Sequence, residues 1–95
     1  GLLDFSKKAQ DLERQVRAYI PWPISFFPWN KVNVRVYKAR MLESRVLSIG
    51  EKGIIGKHPC IGTANRDLQL LKIKIPGKKL IDGKAFLNGA RNWLE

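Results

Sequence analysis

Two stretches of this chain alternate apolar and polar residues and then change phase partway along. That habit limits the possible folds more than any motif does. From Lys31 onward, Val32, Val34 and Val36 point one way, with Lys31, Asn33 and Arg35 opposite; after Val36 the apolar set becomes Tyr37, Ala39 and Met41, with Lys38 and Arg40 opposite. Period-two alternation marks a half-buried strand. A change of phase within it predicts a β-bulge or strong bend, because an extra residue sends every following side chain to the other face. Leu68–Ile75 repeats the pattern: Leu71, Ile73 and Ile75 share one face, Lys72 and Lys74 the other, and the phase shifts at Leu70-Leu71. Short barrels need such bends to close.

The remaining elements are short. Ala9, Leu12, Val16 and Tyr19 fall at helical spacing, which predicts an amphipathic helix over residues 6–19, with Ser6 as its N-cap and Pro21 as its stop. Its polar side carries Lys7, Gln10, Arg14 and Arg17. Arg45–Ile49, Ile54-Ile55 and Cys60–Ala64 read as short strands, with turns at Gly50–Gly53, Gly56–Pro59, Asn65–Asp67 and Pro76–Lys79. Asp82 is placed to cap a short helix through Leu87, and Gly89 to end it. The expected fold is mainly β: a small, open antiparallel barrel of about five or six strands, with a leading α-helix and a short C-terminal helical turn. Residues 1–95 are expected to form one domain, divided into an entry segment (1–5), the helix (6–19), the barrel (25–82) and a terminal turn and tail (83–95).

Pro21, Pro23 and Pro28 punctuate an aromatic run containing Trp22, Phe26, Phe27 and Trp29. Proline keeps this segment extended. Such a run can stack bases, rest on a membrane surface or fill a core. Few other large residues are present, so Trp22, Phe26 and Phe27 are expected in the core.

Charge is the main functional clue. Eighteen Lys and Arg against eight Asp and Glu give +10 and a pI near 10.2. A surplus this large repels itself in the folded state and suits an anionic partner: nucleic acid, a membrane or an acidic protein. Catalytic signals are few. His58 is the single histidine and Cys60 the single cysteine; Pro59 between them argues for a turn, and no further ligand completes a zinc shell. No phosphate-cradling glycine motif occurs. One cysteine fits a reducing, intracellular compartment, and neither a signal peptide nor a membrane span is apparent. No catalytic residue, metal or cofactor is assigned to this chain.

Two blocks stand in a telling order. Leu12-Glu13-Arg14-Gln15-Val16-Arg17-Ala18 precedes Pro21-Trp22-Pro23; Leu68–Ile73 precedes Gly77-Lys78-Lys79 and Phe86-Leu87-Asn88-Gly89. Over roughly residues 3–90, this set resembles the C-terminal domain of methionyl-tRNA formyltransferases. The resemblance implies an open, OB-fold-like barrel behind a helix, entered through Leu2-Leu3-Asp4-Phe5. It also implies a non-catalytic, tRNA-binding role beside an N-terminal domain that takes formyl from 10-formyltetrahydrofolate, in the bacterial cytoplasm or an organelle. Ile24 departs from the family's glycine after Pro-Trp-Pro, Lys74-Ile75 from Gln-Pro, and Asn65-Arg66-Asp67 from a glycine-rich turn, so the loops stay open.

Lys7, Arg14, Arg17, Lys31, Arg35, Lys72, Lys74, Lys78 and Lys79 are the expected phosphate contacts. Binding through them should be weak, little dependent on sequence and steeply salt-dependent. Three alternatives remain: a structural barrel of a formyltransferase acting on a sugar nucleotide or other small molecule, a membrane-surface module, and a stand-alone enzyme.

Overall fold

A computed structural model describes all 95 residues. In chain order the elements are α1 (Ala9–Ala18), β1 (Ser25–Trp29), β2 (Val32–Met41), β3 (Lys52–Ile55), β4 (His58–Gly62), β5 (Asp67–Lys74), β6 (Ile81–Asp82) and α2 (Gly83–Gly89). The six strands form one antiparallel sheet in the order β1-β2-β5-β4-β3, with β6 also on β5. The sheet curls into an open half-barrel, so the mainly β expectation holds.

Both phase changes lie at one place in the ladder. Val36 pairs with Ile73, Lys38 with Lys72 and Ala39 with Leu70, so Tyr37 is the extra residue in β2 and Leu71 the extra residue in β5. The two irregularities are reciprocal, and Arg40 still meets Gln69 in the register that Arg35 keeps with Lys74. The core face therefore runs Val34, Val36, Ala39 on one strand and Ile73, Leu70, Leu68 on the other, all buried.

The leading helix starts later than its sequence pattern suggests. Lys8 is the N-cap and makes no side-chain capping bond. Ser6 instead turns back on Asp4, donating to its carboxylate from N and Oγ at 3.0 and 2.7 Å. The first orphan N–H, on Ala9, donates to Asn65 Oδ1 at 2.9 Å, while Asn65 Nδ2 donates to Gln10 Oε1. A tertiary cap has replaced the local one. Ala9, Leu12 and Val16 are fully buried, as their spacing requires.

Arg45–Ile49 is not a strand. Asp67, buried at the start of β5, accepts from Val46 N, Leu47 N and Ser44 Oγ at 2.9, 3.0 and 2.7 Å. Amides committed to a carboxylate cannot join a ladder. Only an isolated bridge from Ile49 to Gly62 remains. Asp67 thus belongs to a strand rather than to the preceding turn, and Lys52-Gly53 belongs to β3.

Pro59 does not interrupt its strand. β3 and β4 form a hairpin across Gly56-Lys57, both with positive φ (62° and 64°), the geometry that tight hairpin turns demand. β4 meets β5 only from Cys60 onward, so the N–H missing at Pro59 costs no bond on that side. At the far end, Asp82 caps α2 through Lys84 N and Ala85 N, as its position predicts. Gly89 lies inside the helix and Ala90 is the C-cap.

The aromatic core is not the expected one. Trp22 is 81% exposed and Phe26 only half-buried, whereas Phe27 is buried. The main volume comes from Trp93, 1% exposed, in what the sequence marks as a tail. Its ring meets Phe27, Trp29 and Phe86 at centroid distances of 5.6–6.0 Å, in edge-on or tilted geometry. Its Nε1 donates to Gly53 O at 2.9 Å, tying the C-terminal segment to the distal edge strand.

Candidate nucleic-acid interface

β2 and β5 are neighbours in the middle of the sheet, with apolar side chains committed inward. Their polar positions therefore project from the opposite face. Arg35 stands directly across from Lys74, and Lys38 across from Lys72. Like charges at one register position destabilise a ladder, and no carboxylate forms an ion pair with any of the four: the salt bridges are Arg14–Asp11, Arg17–Glu13 and Arg66–Glu43.

Most of the acids are engaged in local bonds. Four of the eight, Asp4, Glu51, Asp67 and Asp82, accept backbone N–H groups. Burial alone would raise the Asp67 carboxyl; its bonds from Val46, Ser44 and Leu47 outweigh that and hold it below the ordinary 3.8. Asp82, held down mainly by the Ala85 amide, faces Lys72 across the β5–β6 pair. Glu13, paired with Arg17 at 2.7 Å, borders the depression that holds Lys38; Arg35 and Lys74 have no carboxylate partner, so the positive face is only partly compensated.

The expected contact residues divide into two groups. Lys31 and Arg35 line one groove with Pro23, Ile24, Phe26 and Pro76. Lys74 stands beside Arg35, and the chain passes from it through Pro76 to the exposed turn of Lys78 and Lys79. Arg17, paired with Glu13, borders a second depression with Ile20, Tyr37 and Lys38, and Lys72 lies across from Lys38. Lys7 and Arg14 stand apart. Lys7 sits near the β4–β5 connection, where its carbonyl accepts from Ala64 N. Arg14 is exposed and engaged with Asp11 at 3.7 Å.

Lys38 and Arg40 are missing from the expected set, though both are exposed on β2. The alternation beyond Val36 already places them opposite the core residues, so the signal was available.

Lys31 carries a backbone cost. It occupies the second position of the β1–β2 turn with φ of 66°, beside Asn30 at 51°. Glycine is usual in that conformation, and a side chain there stores about 1 kcal/mol or more. Ile24, where the resembled pattern has glycine, is also left-handed at φ 74°.

His58 and Cys60 form no reactive pair. His58 Nδ1 lies 3.0 Å from Gly56 O. The Cys60 thiol is buried, and desolvation pushes it up to about 11, so it is protonated at neutral pH. No group of three or more His, Cys, Asp or Glu side chains gathers in a metal-binding arrangement, and no helix is long and apolar enough to cross a membrane.

Comparison with known proteins fits this architecture. Methionyl-tRNA formyltransferase of Buchnera aphidicola subsp. Schizaphis graminum is 35% identical over 96 residues, covering 98% of this chain and 31% of the relative. The Bacillus pumilus protein of that name is 32% identical over 96 residues, covering 93% and 29%. The chain thus spans about a third of the length of these relatives. Among solved structures, HypX from Aquifex aeolicus superposes with a TM-score of 0.71 at 16% identity, covering 99% of this chain and 17% of that one; at that identity the likeness speaks to fold alone. The family model for the formyl transferase C-terminal domain matches residues 1–91, and the chain belongs to that family.

Proposed function

We propose that this domain is the tRNA-binding module of a methionyl-tRNA formyltransferase. It holds initiator Met-tRNA through phosphate contacts, while a separate N-terminal domain transfers formyl from 10-formyltetrahydrofolate. The domain itself takes no part in bond making, and the protein works in the bacterial cytoplasm or an organelle. The carrying observation is the pair of like-charged cross-strand positions, Arg35–Lys74 and Lys38–Lys72. A fold tolerates that repulsion where a polyanion relieves it. Lys31, Lys78 and Lys79 extend the charged face; Arg17, paired with Glu13, contributes less, and so do Lys7 and Arg14, which lie outside it.

The test is a salt titration of tRNA binding by this chain. Each phosphate contact contributes roughly −0.7 to −0.9 to the slope of log K against log salt, so simultaneous contact by about four to six of these cations predicts about −3 to −5. Arg35→Glu with Lys38→Glu should flatten the slope and weaken all tRNAs alike. Affinity that does not fall between low and moderate salt would reject the reading. That result would favour a structural barrel whose parent formylates a small molecule.

A further inference from the structure

Trp22 has no role in the core, yet it is held in place. The indole is 81% exposed, while Pro21 and Pro23 fix the backbone on either side. Its loop lies between two hollows that each carry a free cation. Ile20 lines the one containing Lys38, Tyr37 and the Arg17–Glu13 pair; Pro23 and Ile24 line the one containing Lys31 and Arg35. The Trp22 loop thus borders both hollows and sits beside the free cations of each.

We propose that Trp22 is a stacking platform for an unpaired nucleotide, whose flanking phosphates are held by Lys38 on one side and by Lys31 and Arg35 on the other. The inference rests on the tRNA-binding reading and adds to it the class of nucleotide recognised. Every base has a π-face, so such a platform accepts any sequence but requires a base free of its helix. Proline on both sides limits the ordering cost of stacking. An anionic membrane is the competing occupant. It suits the site less, because interfacial insertion uses a broad apolar face and this loop exposes only Ile20 and Trp22 as large apolar side chains.

The experiment compares binding of this chain to poly(A) and to the poly(A)·poly(U) duplex, whose internal bases are paired. Trp22→Ala should weaken poly(A) binding by about 5- to 150-fold, the span of one base–aromatic stack, and leave duplex binding unchanged. Trp22→Phe should retain most of the poly(A) affinity. The substitution touches no core residue, and thermal unfolding of the variant checks that it folds as the parent does. The inference is overturned if Trp22→Ala binds poly(A) as tightly as the parent, or loses both polymers equally. It is also overturned if the variant loses only phosphatidylserine vesicles. Lys31→Glu with Arg35→Glu separates the two levels. If that pair weakens both polymers while Trp22→Ala changes nothing, the stacking role fails and tRNA binding stands. If the parent chain binds neither polymer, both fall.

Discussion

Arg35 and Lys74 face each other across the β2–β5 ladder, two positive charges at one register position. Replacing one of them by an acid turns repulsion into attraction, and cross-strand charge pairs contribute about 0.2–1 kcal/mol. Lys74→Glu should therefore raise the unfolding midpoint by a few degrees in calorimetry while weakening tRNA binding. A variant that loses stability and keeps its affinity would remove the argument that the pair serves a ligand.

Lys31 invites a similar exchange. Lys31→Gly relieves the left-handed strain and should stabilise the domain by about 0.5–1 kcal/mol in urea denaturation, net of the entropy glycine adds to the unfolded chain. The same variant should reduce the salt slope of tRNA binding by about 1. An unchanged slope would exclude Lys31 as a phosphate contact.

Asp67 secures the segment from Ser44 to Leu47. Asp67→Ala leaves three donors without their acceptor and should cost about 2–5 kcal/mol, with early hydrogen exchange at Val46 and Leu47. The pH dependence has a defined sign. Because the folded carboxyl lies below its unfolded value, its contribution is complete above roughly pH 4 and is lost as pH falls through the folded value. Asp67→Asn should flatten that part of the acid limb, which a stability-versus-pH series would show.

Trp93 and Trp22 should respond in opposite ways to truncation. Trp93→Ala empties the centre of the aromatic cluster and breaks the bond to Gly53 O, so a loss of about 3–5 kcal/mol is expected. Trp22→Ala should stay within about 0.5 kcal/mol of the parent, as exposed positions do. Thermal melts of the two variants measure the contrast directly.

The residues that could be read from sequence are those whose environment is set by near neighbours. Val34 and Val36 alternate, Ala9, Leu12 and Val16 repeat at helical spacing, and Asp82 precedes its own helix; each was correctly placed. The misplaced ones depend on partners far along the chain. Asn65 caps a helix 56 residues earlier, and nothing local separates it from an ordinary turn residue. Asp67 diverts amides some twenty positions away, so a segment with a strand's composition becomes a loop. Trp93 follows no periodic pattern at all.

The charged face was partly legible for the same reason. Lys72, Lys74 and Arg35 follow from alternation, but their cross-strand partnership needs the register, and the register depends on two extra residues. Arg14 and Arg17 share a helix with Asp11 and Glu13 at spacings of three and four, so their ion pairs were predictable from sequence. Those spacings were a reason to rank both below the strand cations.

Because Tyr37 and Leu71 offset each other, β2 and β5 are free to change length only together. Deleting Tyr37 alone would draw Leu71 into the ladder and slip every later pair by one, setting Ala39 against Leu71 and Arg40 against Leu70, so that Leu70 and Leu68 turn outward and Gln69 inward. Deleting both would restore an unbroken ladder with each apolar residue still inside, at the expense of the bend. The curvature of this sheet is thus encoded as a matched insertion, and a drift in one strand is tolerable only when its neighbour drifts as well.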